Sequence, residues 1–335
     1  MSTRLLAAPL LALAAACAAT AAPGGDPLPS WRDGPSRSAI LEFVEQVTRP
    51  GAPGFVPAAE RIAVFDNDGT LWAEQPLYFQ ALFAFDRVRE LAPQHPEWKD
   101  TEPFKSVLAG DVKGALAGGD EALLKIVAAS HADLTADAFA GSVRAWLDTA
   151  VHPTTKRPYS QMVYQPMLEL LEHLRAHGFK TYIVSGGGID FMRVFAEEVY
   201  GIPPEQVIGS TADARFELRD GVPTIVKEGK LVLLDDKAGK PVGIYRHIGR
   251  RPLLAAGNSD GDLQMLQYTA VPRDSADTTP RLALYVHHTD AEREWAYDRD
   301  SHVGRLDQGL HEAAQRGWTV VDMKSAWKTI YPPTR

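Results

Sequence analysis

Three short apolar runs, each closed by a turn rich in carboxylates, hydroxyls or glycine, constrain this chain more than any other feature. Arg61-Ile-Ala-Val-Phe65 stops at Asp66-Asn67-Asp68-Gly69-Thr70. Phe179 to Val184 stops at Ser185-Gly186-Gly187-Gly188, and Pro252 to Ala256 stops at Gly257-Asn258-Ser259-Asp260-Gly261-Asp262. Continuous apolar runs of this length read as strands buried on both faces, as in a parallel sheet. Leu282 to His287 reads as a fourth. Helical periodicity marks Ser38 to Val47, Gln165 to His177, Asp190 to Tyr200, Pro241 to Ile248 and a last helix from Leu306 to Arg316. Strands alternating with helices predict an α/β fold, a parallel sheet with right-handed crossovers and helices on its faces. Ligands of such sheets bind at the carboxyl ends of the strands, so the three polar turns are expected to line one crevice.

Two stretches depart from this alternation. From Trp72 to about Thr155 the chain reads helical, with Phe79 to Leu91, Phe104 to Ala117, Glu121 to Ser130 and Ala136 to Thr149 set between Pro, Gly or Asp breaks. Between Val207 and Leu234 the pattern changes to strand-like alternation with turns at Asp220-Gly221 and Glu228-Gly229-Lys230, predicting a small β insert.

The first residues read differently again. Arg4 precedes the Leu- and Ala-rich run Leu5 to Ala16, followed by Ala19-Thr20-Ala21 and the loose Pro23-Gly24-Gly25-Asp26-Pro27. This is the order of a secretory signal peptide over residues 1–21, so export, to a periplasm, is expected. The run is too short to span a bilayer. Cys17, the only cysteine, lies inside it. Leu13-Ala-Ala-Ala-Cys17 faintly resembles a bacterial lipoprotein box, which keeps a lipid anchor at Cys17 open. Cleavage after Ala21 would leave a chain without a thiol, so stability must come from a core.

With a formal net charge of −8 and no run of Lys or Arg longer than a pair, the chain lacks the clustered basic surface that a nucleic acid requires. A small anionic substrate remains compatible, since a local site holds it.

Each polar turn has a bland and a chemical reading. Asp66 and Asp68 make either an ordinary turn or a pair of oxygen ligands for a hard divalent cation. Ser185 and the glycines after it form a flexible turn, or a hydroxyl with free N–H groups suited to an anion. Asn258, Asp260 and Asp262 cap a helix or ligate a metal. Lys237 and Lys240 are solvated surface lysines, or one of them is not; Lys240-Pro241 stands at a helix start. Trp72, Glu74, Gln75 and Tyr78 either pack the helical insert or face a substrate, with a first-turn helix acid as the plain reading of Glu74. His287 and His288, at the end of the fourth strand, read as structural.

Taken in order, Phe65-Asp-Asn-Asp-Gly-Thr-Leu71, a strand ending in Ser185, Lys240 and Gly257-Asn-Ser-Asp-Gly-Asp262 resemble the four motifs of the haloacid-dehalogenase superfamily. The resemblance covers about Arg61 to His288. A helical insert after the first motif and a small β insert after the second are similar to the phosphoserine-phosphatase-like branch. The resemblance implies a Rossmann-like core over 28–71 and 160–335 with a cap over 72–159. It implies Mg²⁺-dependent hydrolysis of small phosphorylated metabolites, with Asp66 as nucleophile and Asp68 as acid and base. Ser185, Gly186 and Lys240 would hold the phosphate; Asp66, the Asp68 carbonyl and the last motif would hold the metal. One departure stands out: most relatives carry Asp where this chain has Asn258. Either Asn258 ligates, or Asp260 moves in, with Asp262 behind it or orienting Lys240. Two rival readings of the same scaffold are a phosphotransferase or mutase and a non-catalytic phosphate-binding module.

Overall fold

The computed structural model describes residues 25–131 and 134–333; the expected signal peptide and Cys17 lie outside them. Seven strands form one sheet in the order β4-β3-β2-β1-β5-β6-β7. They are β1 (Ile62–Phe65), β2 (Lys180–Gly188), β3 (Val207–Arg219), β4 (Val222–Leu233), β5 (Leu254–Gly257), β6 (Leu282–His287) and β7 (Thr319–Asp322). Every neighbouring pair is parallel except β3 and β4, which form a hairpin. The fold is therefore the α/β class that the apolar strands predict. All four residues of β1 and all four of β5 are buried, as expected of central strands covered on both faces.

The helices are α1 (Pro35–Thr48), α2 (Phe79–Leu91), α3 (Phe104–Ala109), α4 (Val112–Ala115), α5 (Gly119–His131), α6 (Ala136–Thr149), α7 (Gln165–Ala176), α8 (Ile189–Arg193), α9 (Ala196–Tyr200), α10 (Gly239–His247), α11 (Leu263–Ala270), α12 (Gln308–Arg316) and α13 (Met323–Ala326). Helices α2 to α6 form the insert between β1 and β2. Leu77, Phe85, Val88, Trp98, Val107 and Ile126 give it an apolar cluster of its own. Phe79, Phe83, Phe139, Val143, Leu147 and Tyr159 instead join the cluster that covers the sheet. The insert thus shares half of its core with the sheet, and Trp72, at its start, is buried in that shared core.

Four local expectations are corrected. The stretch Phe104 to Ala117 is two short helices because Gly110 takes a left-handed conformation, φ 75°, between them. Asp190 to Tyr200 likewise breaks at Phe195. Glu228-Gly229-Lys230 is no turn. Ala214 faces Lys227 and Ala212 faces Leu231, so β4 absorbs extra residues there as a bulge inside a continuous strand. Finally, the helix expected over Leu306 to Arg316, observed as α12, is not the last: β7 and α13 follow it, and β7 forms the far edge of the sheet.

The strands β2, β1 and β5 are neighbours, so the turns after them emerge side by side at the point where the chain order reverses direction across the sheet. The insert and the hairpin close over this point. Lys227 N–H donates to the Leu134 carbonyl at 2.9 Å, and Thr135 bridges Val226, joining the α5–α6 connection to β4.

Phe83 ties insert to sheet, with ring centroids 5.9 Å from Phe139, 5.7 Å from Trp146 and 5.4 Å from Phe191. Replacing it with alanine leaves a cavity at this seam, and Phe83→Ala is expected to lose about 3–5 kcal/mol of unfolding free energy in urea titration.

Candidate active site

Strand β1 delivers Asp66, whose N–H is fixed by the Ala256 carbonyl of β5 at 2.9 Å. The chain then turns sharply. The Asn67 carbonyl accepts from the N–H groups of Thr70, Leu71 and Trp72, and Tyr200 Oη donates to Asn67 Oδ1 at 3.0 Å. Gly69 sits at φ +74°, and a β-carbon there would overlap the Asn258 amide, so only glycine closes this loop.

Lys240, on the first turn of α10, is 2% exposed. Its Nζ donates to Asp66 Oδ1 at 2.6 Å and to Asp262 Oδ1 at 2.5 Å. Burial opposes its charge, but the two carboxylates hold its pKa above the usual lysine value. Burial and the Asp262 charge push Asp66 well above the usual carboxylate range, and Lys240 pulls the other way. Asp262 also accepts, through Oδ2, from Asn258 N–H at 2.9 Å, Ser259 N–H at 3.0 Å and Ser259 Oγ at 3.2 Å. Lys237 is exposed, at the left-handed φ of 51°. Of the two lysines, Lys240 is the one the fold brings to Asp66.

Asp68 follows on the same loop. Its Oδ1 accepts from Trp72 Nε1 at 2.8 Å, and burial raises its pKa to about 6 despite that bond. Opposite it, β2 continues through Ser185 and the three glycines rather than ending before them. The Ser185 hydroxyl accepts from Gly187 N–H at 3.1 Å. A β-carbon at Gly187 would lie 3.4 Å from Ser185 Oγ and 3.5 Å from Asp68 Oδ2, which shows how closely the two turns approach. Asp66, Asp68, Ser185, Gly186 and Lys240 all line one cavity of about 340 Å³.

The last motif divides its work. Asp260 Oδ1 accepts from Asp307 N–H at 3.0 Å and Gly309 N–H at 2.9 Å, capping the start of α12 outside the cavity. Asp262, fully buried, is saturated by Lys240 and its own turn. Asp262 thus orients Lys240, one of the roles the sequence left open for it, and neither Asp260 nor Asp262 lines the cavity. Asn258 stays beside the loop of the first motif: its Oδ1 accepts from Thr70 Oγ1 at 3.1 Å, and its Nδ2 donates to Glu74 Oε1 at 2.6 Å.

Glu74, which the sequence offers either as a helix-start acid or as a substrate-facing residue, lies before the start of α2, 1% exposed, and lines the cavity. Tyr297 Oη also donates to it, at 2.8 Å. Burial raises its pKa to about 8. Trp72 packs rather than facing a ligand, stacked 4.5 Å from Phe195, while its indole holds Asp68. Gln80, Asp236, Lys227 and His131 also line the cavity, and nothing in their spacing singles them out in the sequence. Gln80 Oε1 accepts from Gly188 N–H at 2.6 Å, a direct contact of the insert with the glycine run.

The chain matches the family model described as haloacid dehalogenase-like hydrolase over residues 63–267. That span covers most of the chain and all four motifs. The chain belongs to the haloacid dehalogenase-like hydrolases. No curated relative matches it. Among solved structures, this hydrolase is similar to a conserved functionally unknown protein from Anaerococcus prevotii DSM 20548, at 16% identity and TM-score 0.51, over 84% of this chain and 90% of that one. It is also similar to a protein with unknown function from Bordetella pertussis Tohama I, at 17% identity and TM-score 0.47, over 78% and 98%. A probable phosphoserine phosphatase from Vibrio cholerae aligns at 15% identity and TM-score 0.38, over 78% and 59%.

His288 supports the first loop of the hydrolase from behind. Its Nε2 lies 2.8 Å from the Gly69 carbonyl and its Nδ1 3.0 Å from Glu294 Oε2. Both partners are acceptors, so the ring carries two protons. Burial works against that charge, but Glu294 holds the pKa above the ordinary histidine value. The stability this ion pair adds is full below about pH 6.5, the unfolded value, and is lost as pH rises through the higher folded value. The parent is therefore expected to lose more thermal stability between pH 6 and 9 than His288→Gln, measured by melting at each pH; parallel curves would contradict it.

Proposed function

We propose that this hydrolase is a phosphatase that passes the phosphoryl group of a phosphomonoester to Asp66 and then to water. What carries the reading is the arrangement around Lys240. One oxygen of Asp66 is fixed by the ammonium at 2.6 Å, and the other has no hydrogen-bond partner among the described residues, in the cavity that Asp68 also lines.

In the first step the free Asp66 oxygen attacks phosphorus and the bond to the leaving oxygen breaks. Asp68 gives its proton to that oxygen; a pKa of about 6 leaves it able to hold or release a proton near neutrality. In the second step Asp68 takes a proton from a water molecule whose oxygen attacks phosphorus, releasing phosphate and restoring Asp66. Ser185, the Gly186 N–H and Lys240 hold the phosphoryl oxygens, Lys240 as a point charge. Trp72 keeps the Asp68 carboxyl in place throughout.

The donor set suits a hard divalent cation such as Mg²⁺. Asp66, Asp68 and Glu74 line the cavity beside a single lysine, Lys240, that Asp262 also engages, and a phosphate dianion adds further negative charge. Among the described residues no three His, Cys, Asp or Glu side chains form a metal centre by themselves, so the oxygens of Asp66, the Asp68 main chain and Asn258 would hold the ion. Bound there, the ion supplies the positive charge that offsets the transferring phosphoryl group. Glu74 supports the position where the chain has Asn: its Oε1 fixes the Asn258 amide nitrogen and so orients the Asn oxygen. In architecture, the helical insert after the first motif and the hairpin after the second support placement in the phosphoserine-phosphatase-like branch.

Asp66→Asn is expected to lower turnover of phosphomonoesters by about a thousandfold or more, and EDTA to abolish it until Mg²⁺ is restored, read as inorganic phosphate release. A metal-indifferent activity would contradict the cofactor. Glu74→Gln is expected to weaken Mg²⁺ binding by about tenfold or more, read by calorimetry without substrate; unchanged affinity would remove Glu74 from the metal's surroundings.

A further inference from the structure

The cavity extends well past the groups that serve phosphate. Its volume of about 340 Å³ falls in the range of roughly 300–1,000 Å³ typical of sites for whole small molecules. Away from Asp66 and Ser185 its walls are Val127 of α5, Phe139 of α6, Ile189 and Phe191 of α8, and Leu231 of β4. Set among these apolar walls is one cation. Lys227, 4% exposed, lies 5.0 Å above the Phe139 ring and donates to Asp190. An ammonium has three protons, and Asp190 is its sole side-chain partner among the described residues, so two N–H groups remain for a ligand. His131 on the same wall adds no second charge, since burial and then Lys227 lower its pKa to about 4.

We propose that the natural substrate is the phosphomonoester of an alcohol with an apolar, ring-sized body that carries a carboxylate to meet Lys227. This rests on the phosphatase reading above. A compact zwitterionic or polyhydroxylated alcohol would leave the apolar wall wet, and such a cavity gives it no advantage. The groups that set this preference come from α5, α6, α8 and the β3–β4 hairpin, which are stitched together where Leu134 meets Lys227.

Three esters of primary alcohols, matched in leaving-group basicity, test the proposal on the intact protein with Mg²⁺: propyl phosphate, 3-phenylpropyl phosphate and its para-carboxylated derivative. Expected is a kcat/KM at least tenfold higher for the phenyl ester than for propyl phosphate. The carboxylate should add at least a further fivefold, and Lys227→Met should erase that second gain. Equal kcat/KM for all three, with phosphate released from each, overturns the substrate class and leaves the phosphatase standing. A carboxylate gain that survives Lys227→Met overturns the role of Lys227. Failure to release phosphate from any phosphomonoester would instead strike the phosphatase reading itself. The comparison of esters on the parent protein decides the first point even if the variant does not fold.

Discussion

A buried ammonium between two carboxylates governs the centre of this structure. Lys240 touches Asp66 from β1 and Asp262 from the turn after β5, and so ties three separate stretches of chain together. A lysine at 2% exposure persists in its charged form because both partners are close, and removing the lysine would leave two buried carboxylates without their counter-charge, at a cost of about 3–5 kcal/mol. Asp262 cannot move to serve another purpose, because its second oxygen closes the Asn258–Ser259 turn. The Asp66 carboxylate is consequently held at one oxygen and free at the other, the arrangement a nucleophile requires.

The same geometry supports the proposed cation. Lys240 is one charge beside several acids, and burial, joined at Asp66 by the Asp262 charge, raises Asp66, Asp68 and Glu74 above their ordinary pKa values. Asn in place of a carboxylate at position 258 lessens the crowding, while Glu74, packed between Asn258 and Tyr297, fixes the Asn amide from another part of the chain. The departure at position 258 and the burial of Glu74 are thus two sides of one local solution.

Much of this was readable from residues alone. Runs such as Ile62–Phe65 and Leu282–His287 have no other stable home than a covered parallel strand, and the turns that follow them inherit their places from the sheet. Helices α2 and α6 were bounded to the residue because Pro, Gly and Thr breaks flank strong periodicity. β7 escaped notice since four residues at a sheet edge, three of them only half-buried, carry little pattern. The second hairpin turn was misread because Gly229 serves equally in a turn and in a bulge, and only the register of β3 decides between them. At the site, Asp66, Asp68, Ser185 and Lys240 announced themselves through motif order. The separation of Asp260 from Asp262 did not: both are acids in one turn, and which faces α12 depends on a helix some fifty residues later. Lys227 was silent for the same reason, and Glu74 was named without its role, the meaning of both coming from partners distant in sequence.

The central claim is that Asp66 is the atom-bearing acceptor of phosphate. Rapid acid quench of the parent protein turning over a ³²P-labelled phosphomonoester, followed by peptide mapping, tests it directly. Label on the peptide carrying Asp66, acid-stable and lost in hydroxylamine, is the predicted result. Steady phosphate release with no protein-bound label at any quench time, or label at another residue, would contradict it.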